Sequence, residues 1–172
     1  MTTPTERDND APLRIREAVR ALVIDPDQRV LLVRFEFPNV SVWGTPGGGV
    51  EPEEESEQAL RRELREELGL TDVVIGRHIW ERTQIIPFLS GLWDGQHDRY
   101  FVVETDAFEP APDLTWEQLN AEYLFEMRWW TADELEEFES TKECFFAPRR
   151  LPELYRSLLT DGEPESLIDI GR

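Results

Sequence analysis

A chain of 172 residues with 40% hydrophobic content is long enough to bury one domain's core and is not disordered by composition. Its 37 acidic against 18 basic side chains give a formal charge of −19, which repels nucleic-acid backbones and anionic lipids and excludes a general DNA- or RNA-coating role. The same field repels a phosphate substrate, so a phosphate enzyme built this way needs bound cations to invert it locally.

Met1 to Pro12 is polar and acidic, lacks the apolar core of a signal peptide, and reads as a disordered lead-in over residues 1–12. Ile15 to Ile24 and Arg29 to Phe35 are two β-like runs around the turn residues Asp25-Pro26-Asp27, and read as a strand pair. Trp43 to Val50 gathers a proline and several glycines and reads as a loop that approaches something closely. Residues 56–68 form the clearest helix: Ser56 is placed to cap it, Leu60, Leu64 and Leu68 make one apolar stripe, and Gly69 ends it.

Val73 to Phe88 and Arg99 to Glu104 read as strands joined near Asp94-Gly95. Thr115-Trp116-Glu117-Gln118 and Thr131-Ala132-Asp133-Glu134 match the capping box, so short helices are expected there. A last helix is expected from Pro148 to about Thr160, followed by a loose acidic tail over 161–172. This order predicts an α+β layer structure. No apolar run approaches the ~20 residues of a membrane span, so the expectation is a cytoplasmic protein with no membrane partner. Cys144 is the only cysteine and reads as an apolar filler; with only His78 and His97 beside it, zinc is not expected.

The informative segment runs from Gly47 to Leu70. Glu63, Glu66 and Glu67 stand at i, i+3 and i+4, so their carboxylates leave one helical face, with Glu54 at the mouth of the Gly-rich loop. Such an oxygen-rich set suits magnesium or manganese. Glu-rich helices are commonly just solvated faces, and Glu57–Arg61 and Arg62–Glu66 can form surface pairs worth only ~0.3–0.5 kcal/mol.

The spacing decides between these readings. Gly48, Glu54, Arg62, Glu63, Leu64, Glu66, Glu67, Gly69 and Leu70 reproduce the Nudix box without a miss, a coincidence on the order of 10⁻⁸ at one register. The chain therefore resembles the Nudix family of hydrolases. The resemblance implies a Nudix hydrolase domain over 13–160, with a mixed β-sheet in an α/β/α sandwich and the box helix at 56–68. It implies Mg²⁺- or Mn²⁺-dependent cleavage of a pyrophosphate bond in a nucleoside diphosphate linked to another moiety.

In the family's pattern Glu63, Glu66 and Glu67 are the main metal ligands, Glu54 is an outer or water-mediated one, and the carbonyl of Gly47 joins them. Arg62 orients the glutamates, and Gly48 and Gly69 shape the flanking loops. Glu53 departs from the glycine many relatives carry there. The general base is a box glutamate or a later one, with Glu117, Glu122 and Glu126 as candidates. Each Trp is more often packing than a stacking partner, and Phe35, Phe37 and Trp43 are where nucleobase contacts are sought. The proline that marks ADP-sugar relatives would fall at Gln84, and Pro87 is three residues further, a slight lean to that class. The competing class is a non-catalytic nucleotide sensor, which usually loses box glutamates. An isoprenoid diphosphate isomerase would want Cys144 in the site. A small-molecule nucleotide is the expected partner; many relatives form a homodimer, for which an exposed Trp or Phe patch is the place to look.

Overall fold

The computed structural model describes residues 11–141 and 143–171, so residues 1–10 of the expected lead-in lie outside the described residues. Among the described residues are nine strands and four helices: β1 (Ile15–Ile24), β2 (Val30–Phe37), β3 (Val40–Gly44), β4 (Gly47–Gly49), α1 (Ser56–Leu68), β5 (His78–Gln84), β6 (Gly95–Glu104), α2 (Trp116–Ala121), β7 (Leu124–Trp130), α3 (Ala132–Thr141), β8 (Phe145–Ala147), α4 (Leu151–Asp161) and β9 (Ile168–Asp169).

Alternation along the strands builds the two faces. Val19, Ala21 and Val23 of β1, Leu31 and Val33 of β2 and Val103 of β6 pack with Ala59, Leu60, Leu64 and Leu68 of α1 and Leu119 of α2. Their neighbours Leu22, Val30, Leu32, Tyr100 and Val102 point the other way, onto Leu135 of α3 and Leu151, Tyr155 and Leu158 of α4. The result is the expected α+β sandwich, a mixed curled sheet between two helical layers.

The sheet runs β8-β3-β2-β1-β6-β5-β9, with β4 also on β1 and β7 also on β2. β1 lies parallel to β6 along its whole length, from Ile15 opposite Gly95 to Ile24 opposite Glu104. The expected pair β1–β2 holds only at its mouth, Ile24 opposite Val30, because β2 then departs to pair with β3 and β7. That departure leaves β1 an open edge, which β4 takes from Ala18 to Arg20.

Four expectations are thereby corrected. The Gly-rich segment is not all loop: Gly47–Gly49 is a strand, and at Gly47 (φ 133°) a Cβ would stand 2.1 Å from the Val19 carbonyl oxygen, so only glycine allows this approach. The strand expected over 73–88 is confined to His78–Gln84, and the apolar residues beyond it, Ile85, Ile86 and Leu89, lie exposed in a loop. β-Rich composition does not separate such a loop from a strand. Pro148 does not open the last helix: its carbonyl accepts from Leu151 N–H in a preceding turn, and Pro152 occupies the first turn of α4. The tail is not loose over its whole length, because β9 pairs parallel with β5 and Ile170 is buried in the core.

Both capping boxes form. Thr115 Oγ1 accepts from Gln118 N–H (3.2 Å) and Gln118 Oε1 from Thr115 N–H (2.9 Å); Thr131 and Glu134 exchange the same pair of bonds. No helix among the described residues is long and apolar enough to cross a membrane.

Candidate active site

The segment before α1 sets the site. Glu53 adopts φ 65°, the left-handed conformation that glycine takes without strain. The helix N-cap is Glu55 rather than Ser56, with Gln58 Oε1 accepting from Glu55 N–H (3.0 Å). At the other end Gly69 (φ 73°) donates to the Arg65 carbonyl at 2.9 Å and stops the helix as expected.

The leucine stripe of α1 faces the core, and the adjacent glutamates are covered by β4. A Cβ on Gly48 would stand 2.4 Å from Glu63 Oε1, and Gly47 N–H donates to Glu67 Oε2 at 2.9 Å. Glu63 and Glu67 are consequently buried, at 8% and 3% exposure, while Glu66 is half-buried.

Arg62 is the hub. Its Nε and Nη2 grip both oxygens of Glu54 (3.0 and 2.9 Å), Nη1 reaches Glu63 (2.7 Å) and Glu66 (3.4 Å), and Nη2 also bonds the Gly49 carbonyl (2.9 Å). This fork locks the loop to the helix. Its hydrogen bond holds the Glu54 carboxyl below the usual range. Burial raises the pKa of Glu63 against Arg62's pull. Burial, then the charge of Glu63, push Glu67 up to about 8, opposed by the Gly47 N–H. Among the described residues no three carboxylates converge as a metal cluster; Arg62 stands bonded between Glu54, Glu63 and Glu66. The donors are all oxygen, and of the pair Glu63–Glu67 only Glu63 is bonded by an arginine, so the chemistry of the set fits a hard divalent cation. The Gly47 carbonyl, also expected in that set, accepts from Arg20 Nη1 at 3.0 Å.

The three later glutamates separate. Glu122 is exposed at the C-terminal cap of α2, next to Tyr123. Glu126 is paired with Arg34 (2.9 Å) beside the cavity lined by Trp43, Trp130 and Cys144. Glu117 is exposed on the first turn of α2.

Phe35 and Phe37 stack at 6.2 Å, and Phe37 leans on Tyr123 at 5.2 Å, with 38% of Phe37 and 37% of Tyr123 exposed. Trp43 is not available for a base: it is 4% exposed and set edge-on against Trp130 at 5.1 Å, a core residue. Cys144 packs against the α3/α4-side core and gives its thiol hydrogen to the Ser41 carbonyl, whereas α1 packs on the opposite face.

Across β4 stands a cluster that the sequence reading omitted. Asp98, fully buried, accepts from Arg20 Nε (3.0 Å), Arg82 Nη2 (2.9 Å) and Gln96 Nε2 (2.7 Å). Arg16 Nη1 donates to Gln96 Oε1 (3.0 Å). The available signal was Arg16 and Arg20, two charges four residues apart on one face of a strand whose only other charge, Glu17, lies on the opposite face.

Residues 14–148 match the NUDIX domain family. The RNA pyrophosphohydrolase of Rickettsia bellii is 28% identical over 130 residues, spanning 72% of this chain and 79% of that protein. The CTP pyrophosphohydrolase of Escherichia coli is 40% identical over 63 residues, 36% of this chain and 46% of that one. Among solved structures, the NUDIX domain of Shewanella oneidensis NrtR complexed with ADP ribose superposes with TM-score 0.62 at 19% identity, over 89% of this chain and 94% of that chain. At that identity the likeness speaks for the fold alone.

Proposed function

The chain belongs to the Nudix family of pyrophosphohydrolases, and from that premise we propose that it cleaves, with Mg²⁺, the pyrophosphate bond of a nucleoside diphosphate linked to a second moiety, with a lean to an ADP-sugar. The observation that carries this reading is the buried pair Glu63–Glu67 beneath β4, two carboxyls pressed against Gly48 and Gly47 whose ionised forms a bound cation would stabilise.

Nudix hydrolases generally use divalent metals. In this reading Glu63, Glu66 and Glu67 would hold the ion, with Glu54 and the Gly47 carbonyl as further oxygen donors. The bound cation would neutralise phosphate charge and make water a better nucleophile. Arg62 keeps Glu54 and Glu63 in place through its fork. Glu122, beside Tyr123 at the end of α2, is the acceptor proposed for the proton of the attacking water, whereas Arg34 engages Glu126. Phe37 and Tyr123 offer ring faces to a base. The exposed apolar loop with Ile85, Ile86, Leu89 and Leu92 is the surface assigned to a homodimer, which light scattering on the purified protein would count.

The test is turnover of a panel: ADP-sugars, other nucleoside diphosphate derivatives, CTP, and 5′-triphosphorylated RNA, each with and without Mg²⁺. Metal-dependent cleavage is expected. The Glu66→Gln/Glu67→Gln variant is expected to lose at least about 10³-fold in kcat/KM, roughly 4 kcal/mol of barrier. Preference for CTP or RNA would replace the ADP-sugar assignment. Tight binding of a panel member without turnover in any metal would move the protein to the sensor class.

A further inference from the structure

The hydrolase reading uses the carboxylates of α1 and leaves the arginines beyond β4 unexplained. Three of them, Arg16, Arg20 and Arg82, gather around the buried carboxylate of Asp98 and its partner Gln96. Arg20 and Arg82 bond it directly. Arg16 does not: among the described residues its one hydrogen bond goes to the neutral Gln96, and its Cζ stands 5.6 Å from the centroid of the Phe88 ring. A guanidinium carries five N–H donors, so most of this one's capacity is unused.

Its position is defined by β4. A Cβ on Gly49 would stand 2.5 Å from Arg16 Nη2, just as one on Gly48 would stand 2.4 Å from Glu63 Oε1. Consecutive glycines therefore carry the cation and the candidate ligand. Burial, then the charge of Arg20, lower the pKa of Arg16, while Glu63, Asp98 and Glu122 pull the other way. The guanidinium is thus half-buried, hydrogen-bonded to a neutral amide alone, and under carboxylate charge only from a distance. Its remaining N–H groups meet no protein acceptor among the described residues and are open to an anion from outside.

We propose that Arg16 is a substrate-binding residue whose free N–H edge takes oxygens of the substrate's pyrophosphate group beside Gly49, as the α1 carboxylates serve the cation beside Gly48. This rests on the hydrolase reading for the identity of the anion. A guanidinium suits the task because two parallel N–H bonds match a phosphate face, which a lysine cannot supply.

The experiment is calorimetric binding of methylenediphosphonate, an uncleavable pyrophosphate analogue, to the full chain in Mg²⁺. Arg16→Gln is expected to weaken it by roughly 10- to 100-fold, the scale of a charged hydrogen bond, with binding of Mg²⁺ alone and the melting temperature unchanged. Arg16→Lys should fall between. Equal affinity in Arg16→Gln, parallel loss of Mg²⁺ binding, or no binding by the unaltered chain overturns the proposal. If Arg16→Gln melts early, phenylglyoxal labelling of the unaltered chain decides: methylenediphosphonate should protect Arg16 several-fold, and unprotected labelling overturns it. Failure of the hydrolase reading would show separately, as absent turnover across the nucleotide panel.

Discussion

The two sides of β4 carry charge clusters of inverse composition. Toward α1, one arginine, Arg62, serves the carboxylates of Glu54, Glu63 and Glu66, and Glu67 has only the Gly47 N–H. Toward β6, one carboxylate, Asp98, serves Arg20 and Arg82, and Arg16 is left to Gln96. The first cluster lacks cations and the second lacks anions. The total charge of −19 therefore says little about what this surface binds; three glycines separate a cation-seeking cluster from an anion-seeking one.

The same chemical change, acid to amide, should act with opposite sign in the two clusters. Asp98→Asn leaves Arg20 and Arg82 buried without a counter-charge and is expected to cost about 3–5 kcal/mol in denaturant unfolding. The unaltered chain offers the same test by pH. Burial would raise the Asp98 pKa, but the charges of Arg20 and Arg82 outweigh it and lower it. The folded value is the depressed one, so this stability is fully present above the unfolded value of about 3.9 and is lost as pH falls through the folded value. Urea midpoints for Asp98→Asn that match the unaltered chain's at pH 7 would sink the argument.

Glu67→Gln should do the reverse. The amide oxygen still accepts from Gly47 N–H, while the buried charge and its repulsion with Glu63 are gone. Without divalent cations the variant is expected to gain about 0.5–2 kcal/mol even as turnover falls. A lower melting temperature for it would mean that the acidic cluster is not short of positive charge. The smallest effect concerns the loop that leads into that cluster. Glu53→Gly relieves a side chain held at φ 65° at some cost in unfolded-chain entropy, for a net gain of up to about 1 kcal/mol by thermal melting.

The acidic cluster was legible in the sequence because it is local: Glu54, Arg62, Glu63, Glu66 and Glu67 fall within fourteen consecutive residues, and the Leu60, Leu64, Leu68 stripe oriented their helix. The opposite cluster was not, because Arg20 and Asp98 are 78 residues apart and Arg16 and Gln96 are 80 apart, joined only by the parallel pairing of β1 with β6. Burial of Glu63 and Glu67 escaped for the same reason, since β4 covers them from outside the helix. Trp43 and Pro148 misled through residue type alone: an aromatic near a site can be core, and a proline three places before a helix can belong to the preceding turn.

The pairing of β9 on β5 bears on how the chain can be handled. β5 is otherwise a sheet border with open backbone donors and acceptors, and Ile168–Asp169 covers it with a strand of only two residues, Ile170 anchoring the end in the core. So short a border strand offers little template for another chain to add to. Cutting the protein after Gly162 would expose the β5 edge and the apolar socket of Ile170 together, turning a protected margin into a nucleus for intermolecular strand addition. Affinity tags and fusions placed directly after Asp169 would strain the same seal.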